Sequence, residues 1–295
     1  MRKVFYLLVL IFVATAYQQT SRPFSIEGHR GARGWVPENT IPSFKKALDQ
    51  GADTLELDVV ITKDNKVLVS HEPWFSSVIS LDPEGNRIPT DKQREFNIFK
   101  MTYAETQRFD VGSIGNKDFP AQVKMKVTKP LLSDVFKEIG AYARENKIRP
   151  PRYNVEIKME RNGDGSFNPT PDVFAKLVYD EIKSAKLLKQ VIVQSFDPRV
   201  LREMRKIKSD LPLAFLVSNK DGVEKNLMNL GFDPDTYSPH FSLIDKASVS
   251  ICRKRGIKVV PWTVNEVADL ERMKAFDLDG IITDYPDRAV RAFKK

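Results

Sequence analysis

The chain has 295 residues, 41% hydrophobic and 29% charged, a composition typical of a globular protein long enough to bury a large core. Its formal net charge of +8 falls to about +6 when Arg2 and Lys3 in the opening segment are left out. That surplus is spread along the chain without a dense Lys/Arg run, which argues against a nucleic-acid-binding surface. The single cysteine, Cys252, excludes an intrachain disulfide and a cysteine-rich zinc site, and with three histidines any metal chemistry must depend on carboxylates.

The first 16 residues are typical of a secretory signal peptide. MRKVFYLLVLIFVATA combines a basic start, a short apolar run and the small-x-small site Ala14-Thr15-Ala16, so cleavage is expected after Ala16 or as late as about residue 22. The alternative is an uncleaved membrane anchor, but the apolar run is shorter than the ~20 residues that span a bilayer. The sequence therefore predicts an exported protein, periplasmic or secreted, with no stable membrane span after the leader is removed.

After this segment, short apolar runs alternate with amphipathic stretches. The predicted strands are Phe24–Gly28, Thr54–Val59, Val67–Ser70, Asn154–Ile157, Val191–Gln194, Leu213–Val217, Thr236–Ser238, Lys258–Trp262 and Gly280–Thr283. The predicted helices are Ile41–Gln50, Leu132–Asn146, Asp172–Ala185, Pro198–Lys208, Gly222–Leu230, Ile244–Arg255, Glu266–Ala275 and Pro286–Lys294. Strands separated by helices of about 10–15 residues indicate βαβ units, and roughly eight such units predict an α/β fold, a (β/α)₈ TIM barrel over residues 23–295.

One long segment interrupts this alternation. Residues 72–130 look loop-like, with LDPEGNRIPTDK followed by a stretch that mixes phenylalanines with many charged residues. Loops of this length are usually functional or form a small subdomain. We therefore expect residues 72–130 to form an inserted cap at the mouth of the barrel, after the second strand region.

Polar side chains collect where the predicted strands end, and the active site of such a barrel lies at that edge. They are His29, Arg30, Glu56, Asp58, His71, Glu156, Lys158, Gln194, Trp262 and Asp284. Glu56 and Asp58 lie two residues apart, as do Glu156 and Lys158, so each pair points to one side of its strand. An apolar strand has no structural use for two carboxylates on one face. The pattern therefore predicts a functional site.

The residue types match what cleavage of a phosphodiester requires. Glu56, Asp58 and Glu156 offer only oxygen ligands, which suit one divalent cation, Ca²⁺ or Mg²⁺, and not zinc. The alternative is a buried ion network with Arg30 and Lys158, but such networks are costly to desolvate. Two histidines at strand ends can act as general acid and general base. The two basic residues can neutralise an anionic group beside the metal.

Several motifs resemble the glycerophosphodiester phosphodiesterases. They are HRGARGWVPENT, ELDVVITKDNKVLVSHEP, NVEIK, WTVN and DGIITDYP, and they follow the family's order from about His29 to Pro286. The resemblance implies a barrel with a cap after the second histidine, which hydrolyses glycerophosphodiesters to an alcohol and sn-glycerol 3-phosphate. It also implies that the glycerol's own hydroxyl attacks phosphorus and that water then opens a cyclic phosphate. An internal nucleophile has a high effective concentration.

The resemblance also carries residue roles, matched motif by motif. It implies acid/base catalysis by His29 and His71, metal ligation by Glu56, Asp58 and Glu156, and phosphate contacts by Arg30 and Lys158. One departure is visible, because the family often has His-Asp where this chain has His71-Glu72. The carboxylate is one methylene longer, which could change how His71 is held but is not expected to abolish activity.

Other candidates have a structural interpretation beside the functional one. Glu38 either orients Arg30 at the phosphate or belongs to the start of the helix that follows it. Trp262 is either core or an apolar wall for the glycerol or the leaving group, and Gln194 is placed similarly. We include Glu38, Gln194 and Trp262 among the substrate-binding candidates. Asp284 could simply bond the backbone of the last turn.

Two other functions stay open on the sequence alone. A phospholipase D-like enzyme on intact lipids would share the histidines and the carboxylate site, but it would need an exposed apolar rim. A catalytically silent barrel would bind glycerophosphodiesters without turning them over. The expected partner is a small-molecule substrate and not a nucleic acid. The leaving alcohol, the choice between Ca²⁺ and Mg²⁺ and the oligomeric state stay open.

Overall fold

The computed structural model describes residues 24–160 and 162–294, so the predicted leader at residues 1–16 lies outside the described residues. The strands are β1 (Ser25–Gly28), β2 (Thr54–Ile61), β3 (Val67–Val69), β4 (Arg152–Ile157), β5 (Val191–Ser195), β6 (Leu213–Val217), β7 (Thr236–Pro239), β8 (Lys258–Val259) and β9 (Gly280–Thr283). The helices are α1 (Ile41–Asp49), α2 (Tyr103–Thr106), α3 (Leu132–Glu145), α4 (Pro171–Ser184), α5 (Pro198–Ile207), α6 (Val223–Leu230), α7 (Lys246–Lys254), α8 (Val267–Met273) and α9 (Pro286–Phe293). Among the described residues, no helix is both long and apolar enough to cross a bilayer.

Eight parallel strands form a nearly closed barrel in the order β8-β7-β6-β5-β4-β2-β1-β9. Backbone hydrogen bonds join the two end strands, since Asp279 N donates to Val259 O at 3.0 Å and Ile282 N donates to Pro261 O at 2.9 Å. Strands such as TLELDVVI and LAFLV are buried along their whole length, as expected for parallel strands covered on both faces. The predicted (β/α)₈ barrel is therefore confirmed.

The third strand stands outside the barrel. β3 pairs antiparallel with the last residues of β2, with Val69 opposite Val59. The chain thus turns back beyond the barrel rim, and Ser70 N donates to Asp58 O at 2.9 Å. A hairpin return and a barrel strand both read as a short apolar run, so the sequence pattern could not separate them. The hairpin returns residue 71 to the level of Asp58.

Helix α1 shows how local sequence positions the first loop of the site. Thr40 Oγ1 accepts from Ser43 N at 3.4 Å, which caps the first turn. Phe44, Ala47 and Leu48 are buried on one face of the helix, the spacing of an amphipathic helix that packs on a core. The loop from residue 29 to residue 40 is therefore anchored at both ends, by β1 and by α1.

Residues 72–130 pack around a second hydrophobic core. The rings of Phe75 and Phe109 stack with centroids 3.8 Å apart, and both side chains are buried. Val60 and Leu68 of the β2–β3 hairpin belong to the same cluster. The segment, which we call the cap, therefore sits on the hairpin that carries residue 71.

Candidate active site

A cavity of about 270 Å³, which we call the rim cavity, opens at the carboxyl ends of the barrel strands. Its lining includes His29, Arg30, Arg33, Glu56, His71, Glu156, Lys158, Gln194, Phe196 and Trp262. A larger groove of about 560 Å³ lies between α3 and α4, but it brings no group of carboxylates and histidines together. Ligand sites in barrels of this class lie at the carboxyl ends of the strands. Chemistry and position therefore select the smaller cavity.

Three buried carboxylates stand at the base of this cavity. The carboxylate oxygens of Glu56, Asp58 and Glu156 lie within 4.8 Å of one another. Glu156 on β4 is the register partner of Asp58 on β2. Among the described residues, Asp58 Oδ1 is buried without a hydrogen-bond partner, and Lys158 Nζ lies 3.8 Å from it. An unsatisfied oxygen in an all-oxygen donor set fits a hard divalent cation such as Ca²⁺ or Mg²⁺.

The three carboxylates differ in their electrostatic environment. Burial raises the pKa of Glu56 well above its ordinary value, and Asp58 and Glu156 raise it further. Burial also raises the pKa of Glu156, and Lys158 offsets only part of that effect. Burial acts on Asp58 too, but Arg30 and the other nearby cations outweigh it, so the pKa of Asp58 is lowered. A bound cation would relieve the repulsion within the group.

A chain of amides supports Glu56 from inside the barrel. Gln194 Nε2 donates to Glu56 Oε1 at 2.9 Å, and Gln194 Oε1 accepts from Asn154 Nδ2 at 3.1 Å. Asn154 Nδ2 also donates to Glu27 Oε2 at 2.8 Å. Arg30 N donates to the other oxygen of Glu56 at 2.9 Å. Gln194 therefore lines the cavity and also orients a candidate metal ligand.

Glu38 holds the basic residues of the first loop. Its Oε1 accepts from Arg30 NH1 at 2.6 Å, and its Oε2 accepts from Arg33 Nε at 2.6 Å. Arg30 Nε lies 3.3 Å from Asp58 Oδ2. Glu38 itself is buried and does not line the cavity. Its contacts are those of a positioning residue for two guanidinium groups.

His29 is anchored by a residue far along the chain. Its Nδ1 donates to Asp284 Oδ1 at 2.6 Å, across 255 residues of sequence. Asn265 Nδ2 donates to the second oxygen of Asp284 at 2.7 Å. Because a carboxylate accepts hydrogen bonds, the His29 proton stays on Nδ1 and Nε2 is left as a basic nitrogen. Burial lowers the pKa of His29, and Asp284 offsets only part of that effect.

His71 lies between a carboxylate and an ammonium group. Its Nδ1 donates to Glu72 Oε1 at 2.7 Å, and its Nε2 accepts from Lys158 Nζ at 3.1 Å. The longer side chain of Glu72 thus reaches its own histidine. Burial alone would raise the pKa of Glu72, but the hydrogen bond from His71 and the nearby cations hold it at about 2. Lys158 Nζ is also 2.7 Å from Glu156 Oε1, so it bridges the histidine and the carboxylate group.

Lys129, at the end of the cap, is a buried cation that the sequence interpretation missed. Its side chain is nearly inaccessible, and its Nζ donates to Ser70 Oγ at 2.7 Å. Ser70 Oγ in turn donates to Glu72 O at 2.6 Å. Burial lowers the pKa of Lys129, although Glu72 opposes this. Lysine is almost never fully buried, so no local signal marked this position.

The opposite wall of the rim cavity is aromatic. Trp262 and Phe196 pack edge to face with ring centroids 5.3 Å apart, and Trp262 Nε1 donates to Ser238 O at 2.9 Å. Phe196 is 39% exposed, and Lys158 Nζ lies 5.7 Å from its ring centre. Trp262 is half-buried and lines the cavity. Phe196 was not among the sequence candidates, although it directly follows the end of β5.

Comparisons with known proteins assign the family. Residues 29–288 match the model of the glycerophosphoryl diester phosphodiesterase family. A glycerophosphodiester phosphodiesterase of Caldanaerobacter subterraneus subsp. tengcongensis is 31% identical over 267 residues, which cover 90% of this chain and 96% of the relative.

Solved structures share the fold. The crystal structure of a protein from Silicibacter pomeroyi DSS-3 matches with a TM-score of 0.80 and 27% identity, covering 92% of this chain and 93% of the other. The structure of an Oleispira antarctica phosphodiesterase in complex with the product sn-glycerol-3-phosphate matches with a TM-score of 0.71 and 21% identity, covering 92% and 97%. The family match runs from the first strand end to the last helix, and the chain belongs to the glycerophosphoryl diester phosphodiesterase family.

Proposed function

We propose that this chain hydrolyses glycerophosphodiesters to an alcohol and sn-glycerol 3-phosphate, using one divalent cation and two histidines. One observation carries the proposal: three buried carboxylates and two carboxylate-anchored histidines meet at one rim of the barrel. Membership of the family supports the reaction class. The Oleispira antarctica protein, which shares the fold, is described with sn-glycerol-3-phosphate as its product.

Glu56, Asp58 and Glu156 are the residues that would hold the cation, Ca²⁺ or Mg²⁺. When bound, it neutralises negative charge that develops on the phosphate oxygens. The unpartnered Asp58 Oδ1 supports this assignment. Arg30, held by Glu38, and Lys158, which also lines the cavity, bind the phosphate through charge-assisted hydrogen bonds.

His29 acts as the general base and His71 as the general acid. With its Nδ1 proton held by Asp284, His29 accepts a proton on Nε2 from the attacking hydroxyl of the glycerol. The hydroxyl oxygen forms a bond to phosphorus and the bond to the leaving alcohol breaks, which gives a cyclic phosphate. When Lys158 turns from His71 to the phosphate, His71 carries a proton on Nε2 while ionised Glu72 holds Nδ1–H, and it gives the Nε2 proton to the leaving oxygen. Water then opens the ring with the two roles exchanged.

The leader pattern at residues 1–16 supports export, so we propose that the protein works in the periplasm or outside the cell. N-terminal sequencing of the protein recovered from outside the cytoplasm tests this. An intact Met1, or retention in the cytoplasm, would contradict it.

The first experiment incubates the protein with glycerophosphocholine, with and without a chelator, and follows the release of sn-glycerol 3-phosphate. Release should stop with the chelator and return with Ca²⁺ or Mg²⁺. Turnover of micellar lipids without turnover of the soluble diester would favour the phospholipase D-like alternative. A ligand that binds tightly in calorimetry without being turned over would favour a silent binding barrel.

We expect His29→Ala and His71→Ala each to lower kcat by about 10²–10⁴-fold, the usual contribution of a general acid or base. His240→Ala is the matched control, because His240 is the remaining histidine and does not line the rim cavity. This control should keep most of the activity. A loss below about tenfold in both test variants would remove the acid/base assignment.

A further inference from the structure

Arg33 lines the rim cavity but has no part in the proposed chemistry. It lies in the loop between β1 and α1, three residues after Arg30, and its Nε donates to Glu38. Its guanidinium lies 4.7 Å from the ring centre of Phe119 in the cap. Within residues 24–160 and 162–294, neither terminal nitrogen of Arg33 has a hydrogen-bond partner. Two N–H₂ groups are therefore available to a ligand.

The position of this guanidinium is fixed from both the barrel and the cap. Glu38 is buried and binds Arg30 and Arg33 with different oxygens, which locks their spacing. Gln122 Nε2 of the cap donates to Arg33 O at 2.8 Å. The Arg33 side chain is 20% exposed and that of Arg30 is 9% exposed. Arg33 is thus the more exposed of the two cations.

The cavity that Arg33 lines has only buried carboxylates in its wall. The carboxylates that line the rim cavity, Glu56 and Glu156, are both buried at the candidate metal site. Phe119 also lines a second cavity of about 520 Å³ in the cap. The charged residues that line this second cavity are all cationic: Arg87, Lys117 and Lys124. A leaving alcohol that extends from the phosphate towards the cap therefore meets positive charge.

We propose that Arg33 is a specificity-determining residue that binds an anionic group on the leaving alcohol. This inference rests on the proposed function and names the preferred substrate class, glycerophosphodiesters whose alcohol bears a carboxylate. A planar guanidinium with two free N–H₂ groups matches a carboxylate in a bidentate geometry. The stacking on Phe119 and the bond to Glu38 hold the group in place, so little side-chain entropy is lost on binding.

Two substrates isolate the effect of the carboxylate. Glycerophosphoserine and glycerophosphoethanolamine differ only in the carboxylate of the serine, so the ratio of their kcat/KM values reports its recognition. The wild type should favour glycerophosphoserine. Arg33→Met should lower kcat/KM for glycerophosphoserine by about tenfold or more, as expected for a lost hydrogen bond to a charged group, with a much smaller change for glycerophosphoethanolamine. Arg33→Lys keeps the positive charge but loses the bidentate geometry of the guanidinium. Its kcat/KM for glycerophosphoserine should therefore lie between the values of the wild type and of Arg33→Met.

Arg94→Met is the matched control for this comparison. Arg94, in the cap, is like Arg33 a guanidinium that lies over aromatic rings, 4.3 Å from the ring centre of Trp74 and 4.4 Å from that of Phe167, but it lines neither cavity. Its substitution should leave the substrate ratio unchanged. The thermal midpoint of each variant shows whether it is folded. If Arg33→Met does not fold, Arg33→Lys provides the test.

Three results would overturn the inference. Equal losses on both substrates in Arg33→Met would assign Arg33 to the phosphate itself. An unchanged ratio in that variant would leave Arg33 without a role in specificity. The same shift in Arg94→Met would show a general effect of cap charge. If the wild type releases sn-glycerol 3-phosphate from neither substrate, the proposed function fails, and that result is distinct from turnover with an unchanged ratio.

Discussion

His29 and Asp284 lie side by side at the rim of the barrel, at the ends of the paired strands β1 and β9, with Nδ1 and Oδ1 2.6 Å apart. Asn265 holds Asp284 with two hydrogen bonds. Asn265 Nδ2 donates to Asp284 Oδ2 at 2.7 Å, and Asn265 Oδ1 accepts from the backbone N–H of Asp284 at 2.9 Å. The imidazole is therefore fixed in orientation and tautomer. In the proposed mechanism, a carboxylate in this place would also stabilise the imidazolium that forms when Nε2 takes a proton.

We expect Asp284→Asn to lower kcat by about 10²–10⁴-fold, because an amide can present its NH₂ group to Nδ1 and favour the wrong tautomer. The substitution also removes a group that raises the pKa of His29, so that pKa falls further. A base works at pH values above its pKa. The acidic limb of the kcat profile should therefore move to lower pH, and kcat measured across the acidic and neutral range checks both effects.

Asp287→Asn is the control, since Asp287 lies three residues further on and accepts from Trp35 Nε1 at 2.9 Å, outside the rim cavity. The dependence of kcat on pH in Asp287→Asn should match that of the wild type. An acidic limb that stays in place or moves upward in Asp284→Asn would contradict the assignment of His29 as the base.

At the scale of elements, the β2–β3 hairpin carries His71 and the last residues of the cap hold the hairpin. Val69 N donates to Pro130 O at 2.9 Å. The ammonium of Lys129 donates to Ser70 Oγ, and Ser70 Oγ donates to the backbone oxygen of Glu72. Lys129 therefore supports the turn that carries His71. The cap is thus coupled to the position of one catalytic candidate, His71.

We expect Lys129→Met to lower kcat about tenfold while leaving the free energy of unfolding unchanged or raised by about 1 kcal/mol. Burial lowers the pKa of Lys129, so the folded state disfavours the ammonium at any pH below its ordinary pKa of about 10.4, and methionine removes that cost. The loss of a cation that faces Glu72 weakens the support of His71. Urea unfolding and kcat measurements check the two effects.

Lys126→Met is the matched control, because Lys126 lies nearby in the cap and is exposed. Lys126→Met should change neither kcat nor the free energy of unfolding. A Lys129→Met variant with wild-type kcat, or one destabilised by more than about 2 kcal/mol, would show that the buried ammonium serves the fold and not the site.

The elements of the barrel could be predicted because their periodicities are local. The α1 and β6 bounds, for example, agree with the sequence interpretation within one residue. The placement of Glu56 and Asp58 on one side of β2 followed from strand geometry alone. The antiparallel course of β3 was not predictable, because it is decided by what the strand pairs with and not by its own residues.

The remaining parts of the site depend on contacts between distant segments. Asp284 meets His29 only when the barrel closes, and no pattern around either residue specifies the other. Lys129 and Arg33 carry charges that local sequence places on the surface, yet one is buried and the other lines the rim cavity. Sequence motifs therefore indicated the chemistry, while the partners that orient each group required the fold.

At the scale of the whole molecule, the barrel brings a group of carboxylates together at one end. Three carboxylates within 4.8 Å of one another are buried there, and burial together with mutual repulsion raises the pKa of Glu56. Such a group costs stability unless a cation compensates it. The stability of the protein should therefore depend on metal.

We expect Glu56→Gln to raise the free energy of unfolding of the chelator-treated protein by about 1–2 kcal/mol while removing most of the gain from Ca²⁺ or Mg²⁺. The raised pKa means that the ionised carboxylate costs stability at neutral pH, and an amide removes that cost. In the wild type, a cation at about 100 times its Kd adds about 2.7 kcal/mol. Urea unfolding with chelator and with each metal checks both effects.

Glu145→Gln on the exposed surface of α3 is the control and should respond to metal as the wild type does. If the chelated Glu56→Gln protein is less stable than the wild type, the repulsion argument is wrong. If it gains as much from metal as the wild type, Glu56 is not a ligand.

The closure of the barrel has a consequence for the biogenesis of the enzyme. β1 pairs with β9, so residues 25–28 find one of their two neighbours only at residues 280–283, and His29 finds its anchor at residue 284. Forming so long a loop is a late and entropically costly step in folding. In a nascent or truncated chain that lacks the last strand and Asp284, His29 has lost its carboxylate partner. Hydrolytic activity is therefore expected only after synthesis has passed the final strand, so a chain that is still being made is inert towards glycerophosphodiesters.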